Sequence, residues 1–318
     1  MKRIINNIGM REEIVVDLNE LDSYLKNIDS VFLTKNIINK NIDCDSIINY
    51  YRSSRSVYKY FHSYEGAVHM ALNYDGIFNK KGYYTPLNEI LELINESEVN
   101  NVLELGCGKG FNSVFLAKKL PEIKFSGIDI TDDHLVIANR KSHHIENLKF
   151  AYGDFHKLDF EDSSFDFIFE LESICHANDS RQVLSEIFRV LKSKGQFVLY
   201  DGFRQTGFES LTDNLVQAAI ITEKSLAVNR SEKIDTWLEI AGKIGFKLKV
   251  TTDLSKAIMP NLGRLQILAR KYFKYRFLSK IILKILPQDM LMNSVAVLLM
   301  PFTVHNKAHG YYKLILEK

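Results

Sequence analysis

Three acidic residues each end an apolar segment in the middle of the chain, and closely spaced glycines follow the first of them. Glu104 precedes Gly106, Gly108 and Gly110, and a helical pattern begins directly afterwards. Glycine at such a turn lets the backbone adopt a positive φ and approach a ligand closely. The helix start adds free N–H groups and the positive end of a dipole. The spacing differs from the dinucleotide fingerprint Gly-x-Gly-x-x-Gly, whose third glycine falls at Phe111.

Asp129 ends the second apolar segment and Asp154 follows the third. Asp129 is placed to bind both hydroxyls of a ribose, and the alternative is that it caps the next helix. Asp154 is placed to accept a hydrogen bond from an adenine amino group while Ile130 or Phe155 packs on the ring. Aspartate is also common in turns after strands. Acids at three successive strand ends nevertheless favour ligand binding.

A ligand with an ammonium group, ribose hydroxyls and an adenine edge, but no phosphates, fits these acids. Carboxylates repel phosphates, which disfavours NAD and ATP. Glu104 is expected to accept a hydrogen bond from the ammonium group, unless it only caps the next helix. The acid-Leu-Gly-x-Gly-x-Gly pattern resembles the first motif of class I S-adenosylmethionine-dependent methyltransferases, which implies S-adenosyl-L-methionine as cofactor. The cofactor-binding residues are then expected to be Tyr51, Glu104, Gly106, Cys107, Gly108, Gly110, Asp129, Ile130, Asp154, Phe155 and Glu170.

Two further carboxylates and a histidine follow the fourth apolar segment. Glu170 and Glu172 are two residues apart, which puts them on the same face of a strand, and His176 lies just beyond. Such a group is costly to bury without a function. The alternative is that the acids cap the helix starting near Asp179 or pair with Arg181.

The same region resembles the sterol C24-methyltransferase family. The shared features are Glu172-x-x-Cys175-His176-Ala177, the helix Ser185–Lys192, Tyr200-Asp201, and upstream Tyr50-Tyr51, Tyr58-x-Tyr60 and His69. The resemblance covers about residues 50–202 and departs from the family at Gly202-Phe203, where the family has tryptophan.

This resemblance implies an alkene acceptor that attacks the methyl group, a carbocation and a final loss of a proton. It implies catalytic roles, in stabilising the cation or removing the proton, for Glu172, His176, Asp201 and His69. Aromatic side chains can stabilise such a cation, and plain core packing is the alternative role for each of them.

Alternating strand and helix patterns would bring these residues together. Strands are predicted at 101–106, 124–130, 148–152, 165–171, 196–201, 246–252 and 311–317, and helices at 111–120, 132–142, 179–191, 209–228 and 232–244. Such alternation predicts an α/β, Rossmann-like, doubly wound, mostly parallel sheet of seven strands. Ligands bind beyond the carboxyl ends of the strands in such sheets.

Four regions are predicted: an N-terminal helical cap at 1–84, a cofactor-binding core at 85–255, a helical lid at 256–310 and the last core strand at 311–318. Within the cap, Asp45 is expected to cap a helix. Thr85 and Pro86 are expected to start the first helix of the core as N-cap and first helical residue.

The lid is rich in basic residues and has no acidic residue from Leu254 to Gln288. Its apolar stripe is predicted to run through Leu265, Leu268, Tyr272, Tyr275, Ile282 and Leu286, largely opposite Arg270, Lys274, Lys280 and Lys284. A basic amphipathic helix indicates membrane-surface or partner binding. The alternative is a lid on the core with a solvated basic face. A weak peripheral membrane contact through residues 256–286 is therefore one expectation.

Composition narrows the remaining possibilities. The 318 residues carry a net charge of +2 and three scattered cysteines, so neither a disulfide framework nor a zinc site is indicated. The first residues lack a sustained apolar stretch, which predicts no signal peptide and a cytoplasmic protein. Nucleic-acid methylation is disfavoured because the fourth strand lacks an Asn/Asp-Pro-Pro-aromatic motif for a flipped base. We expect a homo-oligomer, no bound metal and a lipophilic small-molecule acceptor.

The alternatives are methylation at nitrogen or oxygen of a small metabolite, and a non-catalytic module that keeps cofactor affinity. An acceptor with a phosphate would need a cluster of cations near His176, for which only Arg204 and His69 are candidates.

Overall fold

A computed structural model describes residues 13–318, and its centre is a mostly parallel β-sheet. The described part of the chain forms seven strands, in the order β3-β2-β1-β4-β5-β7-β6. Their bounds are β1 Asn101–Leu105, β2 Lys124–Asp129, β3 Leu148–Tyr152, β4 Phe165–Leu171, β5 Leu191–Arg204, β6 Lys247–Asp253 and β7 His309–Glu317. Only β7 runs antiparallel to its neighbours β5 and β6. The predicted doubly wound fold is confirmed.

The order of the strands creates a crevice between β1 and β4. The chain proceeds outward from β1 through β2 to β3, then returns to the other side of β1 with β4. Helices that follow β1 and β4 therefore lie on opposite faces, and their loops separate at the carboxyl edge. Leu103 and Leu105 in β1 and Phe167 and Phe169 in β4 are fully buried, which fixes these two strands in the core.

Helices cover the sheet on both faces. They are α1 Leu18–Phe32, α2 Thr34–Ile38, α3 Cys44–Val57, α4 Thr85–Asn95, α5 Phe111–Lys119, α6 Asp132–Ser142, α7 Ser180–Val190, α8 Asp213–Ser225, α9 Ile234–Ile244, α10 Ser255–Lys274, α11 Arg276–Ile285 and α12 Gln288–His305. The predicted ends of α5, α6, α7 and α9 agree with the observed ends within two residues. Helix α8 is shorter at both ends than the predicted segment 209–228.

Two of the predicted helix caps are wrong. Asp43, not Asp45, caps α3, since its carboxylate accepts the N–H of Ser46 at 2.9 Å. Thr85 is already helical, and its hydroxyl donates to the carbonyl of Leu72 at 3.2 Å. Asp45 is the second residue of α3 and Thr85 is the first residue of α4, so each lies inside the helix that it was predicted to cap.

The lid segment forms three helices between β6 and β7. The predicted single stripe breaks at Tyr275, whose φ of −112° and ψ of 77° end α10. The face that α10 buries contains Ile258, Leu262, Leu265, Ala269 and Phe273, which shares only Leu265 with the predicted stripe.

Residues 1–12, on which the signal-peptide expectation and the start of the cap depend, lie outside the described residues. The division into four regions stays a prediction. Among the described residues, no helix is both long and apolar enough to cross a membrane.

Candidate active site

The glycine turn at the end of β1 adopts the conformation that its sequence predicts. Gly106, Gly108 and Gly110 have φ values of 62°, 51° and 72°, in the left-handed region. A Cβ at Gly106 would lie 2.4 Å from the Cβ of Ser173, which leaves no room for a side chain. Only glycine lets β1 turn this tightly beside the loop that follows β4.

Asp129 holds the open side of this turn. Its carboxylate accepts the N–H groups of Gly108 and Thr131, both at 2.8 Å. Burial raises the pKa of the Asp129 carboxyl despite these two bonds. The side chain borders a cavity with about 930 Å³ of open space, a size common for small-molecule sites.

This first cavity, which we name the cofactor cavity, gathers most of the predicted cofactor-binding residues. Those that line it are Tyr51, Gly106, Gly108, Asp129, Ile130, Asp154 and Phe155. Its lining contains no lysine or arginine to pair with a phosphate. The donor set therefore fits a ligand with hydroxyl and amino groups, and S-adenosylmethionine is such a ligand.

Glu104 does not line the cofactor cavity, and its bond to the cofactor ammonium group stays a prediction. Its carboxylate turns toward the start of α5, where it accepts from Asn112 Nδ2 at 2.8 Å and from Ser113 Oγ at 2.5 Å. Burial raises its pKa to about 7. These contacts match the alternative prediction for Glu104, which is that its carboxylate caps the helix that follows.

Three more predicted cofactor residues lie behind the lining. Cys107 is buried, and Gly110 is the N-cap of α5, packed against the ring of Phe150. Glu170 accepts the N–H and hydroxyl of Ser173 at 2.8 and 2.9 Å. Burial, and then the negative charge of Asp201, raise the Glu170 pKa well above its usual range. These residues shape the cavity from outside it.

Several residues that line the cofactor cavity were not predicted from the sequence as cofactor-binding. They include Cys44, Val68, Thr131, His134 and Ser173. His134 lies in the first turn of α6, five residues after Asp129, which is a signal that could have identified it. Val68 and Cys44 come from the cap, and no local pattern ties them to the sheet.

A second cavity, the acceptor cavity, meets the first. It has about 760 Å³ of open space, and it shares Tyr51, Glu172 and His176 with the cofactor cavity. Its other lining residues include Tyr50, Tyr58, Met70, Cys175, Asp201, Glu223, Leu226, Ile258, Met300, Val304, His309 and Tyr311. The predicted catalytic residues Glu172, His176 and Asp201 therefore all border it.

Glu172 is held at the junction of the two cavities by bonds from distant parts of the chain. It has a positive φ of 57°, which is rare for a residue with a side chain. Its Oε1 accepts the N–H of Met70 at 2.5 Å and the hydroxyl of Tyr311 at 2.8 Å. Burial raises the Glu172 pKa to about 8, against the lowering effect of both bonds.

His176 is fixed as a neutral imidazole. Its Nδ1 lies 3.0 Å from the carbonyl oxygen of Ala227, which can only accept, so Nδ1 carries the proton. Nε2 consequently accepts the hydroxyl of Tyr51 at 2.9 Å. Burial lowers the His176 pKa to about 4.

Asp201 lies at the buried end of the same acidic group. Its carboxylate accepts the N–H groups of Cys175 at 2.8 Å and Gly202 at 2.6 Å. Burial raises the Asp201 pKa above its usual range, against the lowering effect of these backbone hydrogen bonds.

His69, predicted as catalytic, lines neither cavity. It is 2% exposed, and its Nδ1 bonds to the carbonyl of Met70 at 3.1 Å. Its ring packs near Tyr83 and Phe111. His69 thus supports the segment whose next residue, Met70, donates to Glu172.

The acceptor cavity has acids but no free cation. No lysine or arginine is found among its lining residues. Arg204, one of the two candidates for a phosphate partner, donates from Nε and Nη2 to Glu223 at 2.7 and 2.6 Å. Within the described residues, no group of three or more His, Cys, Asp or Glu side chains could hold a metal ion. The cavity therefore favours neutral or positively charged molecules.

Comparisons with known proteins agree with this geometry. A family model described as a methyltransferase domain matches residues 96–243. A sterol methyltransferase-like protein of Botryococcus braunii is 30% identical over 177 residues, which cover 53% of this chain and 43% of the relative. The chain thus matches less than half the length of that curated relative.

Two solved structures share the fold. One from Galdieria sulphuraria, described as a sarcosine dimethylglycine methyltransferase, has a TM-score of 0.68 and is 15% identical to this chain. The match covers 84% of this chain and 98% of the solved one. A geranyl diphosphate C-methyltransferase from Streptomyces coelicolor has a TM-score of 0.59 and is 11% identical to this chain. The match covers 86% of this chain and 96% of the solved one. Residues 96–243 thus match a methyltransferase domain, the chain shares the fold of these solved methyltransferases, and it resembles the sterol methyltransferases.

Proposed function

We propose that this protein transfers a methyl group from S-adenosylmethionine to an alkene carbon of a lipophilic acceptor of sterol, prenyl or terpenoid type. The observation that carries the proposal is the junction of two cavities at Tyr51, Glu172 and His176. One cavity suits the cofactor, and the other is walled by tyrosines, aliphatic side chains and carboxylates. The place where they meet is where a methyl group would pass.

The acceptor cavity suits a molecule that becomes positively charged during the reaction. Tyr50, Tyr51, Tyr58 and Tyr311 present aromatic rings to it, and such rings attract cations. Asp201 adds a carboxyl group to the lining, whose ionised form would attract a positive charge. Both features lower the energy of a carbocation more than that of a neutral alkene, which is the condition for catalysis.

Glu172 is the base in this proposal. Bound S-adenosylmethionine would supply an electrophilic methyl group. The alkene electron pair would form the new carbon–carbon bond as the methyl–sulfur bond breaks, and the sulfur would keep that bond's electron pair in the departing S-adenosylhomocysteine. The acceptor then carries one positive charge, which disappears when a base removes a proton from a neighbouring carbon. A carboxyl with a pKa of about 8 is well matched to that step near neutral pH. His176 and Tyr51 position the junction through their mutual hydrogen bond.

A second candidate is methylation of an amine. An amine is positively charged at neutral pH, and the same carboxylates and aromatic rings would attract it. The lack of a free cation disfavours a phosphate-bearing acceptor in both cases.

The deciding experiment uses the full chain with S-adenosylmethionine labelled in its methyl group. The acceptors are an isoprenoid alcohol, a sterol with a side-chain double bond, the diphosphate of the same isoprenoid, and a hydrophobic amine. We expect label on carbon in the alcohol or sterol and little transfer to the diphosphate. Label found only on nitrogen would support the second candidate instead, and efficient transfer to the diphosphate would contradict the reasoning from charge.

The residue assignments, the four regions, the cytoplasmic setting and the homo-oligomer remain part of this proposal. A weak membrane contact of the lid through residues 256–286 also remains part of it.

A further inference from the structure

Helix α11 exposes an apolar face that nothing in the described chain covers. Phe277 is 80% exposed, Ile285 73%, Leu278 51% and Ile281 39%. Phe277, Ile281 and Ile285 follow one another at intervals of four residues and so form one continuous row. Single exposed apolar residues are ordinary, but a row of them marks an interaction surface.

The opposite side of α11 is anchored to the protein. Ser279 is 1% exposed, and its hydroxyl donates to the carbonyl of Tyr272 at 2.5 Å. Ile282 and Leu283 pack against the cluster formed by α1, α8, α10 and α12. The exposed row therefore results from how α11 docks, and not from a detached helix.

Two exposed lysines flank this row. Lys280 and Lys284 are four residues apart and lie next to the Phe277–Ile285 row around the helix. Lys274 is exposed at the end of α10. No acidic residue occurs between Leu254 and Gln288 to offset these charges. An apolar row bordered by lysines matches a helix that lies in the plane of an anionic membrane surface.

The ends of the lid connect this surface to the acceptor cavity. Ile258 in α10 and Met300 and Val304 in α12 line that cavity, and α11 joins the two helices at their far ends. The same lid thus lines the acceptor cavity at one end and carries the exposed row at the other.

We propose that α11 docks the protein on an anionic lipid bilayer by inserting the face formed by Phe277, Leu278, Ile281 and Ile285, with Lys280 and Lys284 at the lipid headgroups. The apolar face makes the contact, whereas the sequence pattern pointed to a basic face. The purpose of the docking, to collect a lipophilic acceptor, rests on the proposed function. The docking itself can be measured without cofactor or acceptor.

The test is sedimentation of the full chain with phosphatidylcholine vesicles, with and without phosphatidylserine. We expect the chain to pellet with the anionic vesicles at low salt and to be released by salt, since charges on lysine are screened. Each inserted large apolar side chain should strengthen binding roughly tenfold. The pair Phe277→Gln and Ile285→Gln should therefore weaken binding about a hundredfold.

Matched controls come from another part of the surface. Val136 is 68% exposed on α6 and Lys119 is exposed on α5, so Val136→Gln and Lys119→Gln should leave vesicle binding unchanged. Trp237 is buried, so the fluorescence of a Phe277→Trp variant reports insertion directly. It should shift to the blue with anionic vesicles, and that of Val136→Trp should not.

Three outcomes would overturn the proposal. These are no pelleting with anionic vesicles at low salt, pelleting that the paired glutamine variant does not weaken, and self-association that the same pair abolishes. The last would mean that a second copy of the chain covers the face. Methyl transfer to a detergent-dispersed acceptor is measured separately, so a failed docking and a failed enzyme assignment give different results.

Discussion

Replacing Glu172 by glutamine should remove the base from the proposed reaction while leaving its site intact. Both bonds to Glu172 are received by Oε1, from Met70 and Tyr311, and a glutamine oxygen can accept both. The fold and cofactor affinity should therefore survive. Turnover should fall by roughly 10²–10⁴-fold, which is the usual contribution of a general base.

The pH dependence makes this prediction specific. With a pKa of about 8, only about one-tenth of Glu172 is ionised at pH 7 in the free protein. The value of kcat/KM should consequently rise with pH up to about 8 and then level off. The positive charge of bound cofactor favours the ionised form, so kcat should level off at a lower pH than kcat/KM.

Tyr311 offers a way to shift the profile without removing the base. Its hydroxyl donates to Glu172 and lowers the pKa of that carboxyl. A hydrogen bond to a charged group contributes about 1.5–3 kcal/mol, so Tyr311→Phe should raise the pKa by roughly one to two units. The control is Tyr312→Phe, because that hydroxyl donates to Gln205 instead.

The assay is initial rate against pH with an acceptor that proves active. Glu172→Gln should have no rise near pH 8, Tyr311→Phe should rise at higher pH, and Tyr312→Phe should match the unmodified protein. A Glu172→Gln variant within a few-fold of normal turnover would exclude Glu172 as the base. An unchanged profile in Tyr311→Phe would refute the link between this hydrogen bond and the titrating group.

Three further predictions concern the cofactor, the core and acid stability. Calorimetry should find S-adenosylmethionine binding at least about a hundredfold weaker in Asp129→Ala, since the two hydrogen bonds expected between this carboxylate and the ribose hydroxyls would be lost. The variant Asp132→Asn, at an exposed residue, should bind the cofactor normally. In denaturant unfolding, Arg204→Leu should cost about 3–5 kcal/mol because it breaks a buried ion pair and leaves Glu223 with only the His309 ring as partner. The exposed Lys243→Ala should cost about 0–1 kcal/mol, and Glu223→Leu added to Arg204→Leu should restore part of the loss. Burial lowers the pKa of four histidines to about 3 or 4: His62, His69, His134 and His176. Because these rings bind protons more readily when unfolded, they lower stability as the pH drops from about 6.5 toward 4, whereas the buried carboxyls with raised pKa values, Glu104, Glu170, Glu172 and Asp201, act in the opposite direction. His69→Gln should therefore raise the melting temperature at pH 4 relative to that at pH 6.5, compared with the unmodified protein, and an unchanged pH dependence in this variant would contradict the burial of His69 as a neutral ring.

The sequence predicts the sheet well because each strand is a buried apolar run with its own turn signals. The bounds of β3 and β4 agree with the prediction at both ends. Caps were harder, since Asp43 and Asp45 are equivalent as residue types and only the path of the chain decides which carboxylate reaches Ser46. The predicted apolar stripe of the lid is wrong at Tyr275 for a related reason. The hydrophobic periodicity of the sequence continues through the break between α10 and α11 and so does not reveal it.

In the site as well, contacts between residues close in sequence were predictable and contacts between distant residues were not. The glycine turn and Asp129 are contiguous with their strands, so sequence spacing predicts their position at the carboxyl edge. Glu104 bonds to Asn112 and Ser113 at the start of the next helix, and its contact with the cofactor ammonium group stays a prediction. Tyr311 lies 139 positions from Glu172, and the sequence contains no signal that joins the two.

The position of the lid between β6 and β7 has a consequence for how acceptor range can change. These two strands pair directly along their length, so the three helices between them form one long closed loop. The entropy of closing such a loop grows only with the logarithm of its length, about 0.6 kcal/mol for each doubling. Lengthening or exchanging this loop therefore costs little in closure entropy, provided that β6 and β7 keep their register and the buried faces of α10 and α12 keep their packing. The glycine turn and Asp129 belong to the other half of the sheet, so such grafting could alter acceptor choice while leaving the methyl-donor half of the molecule untouched.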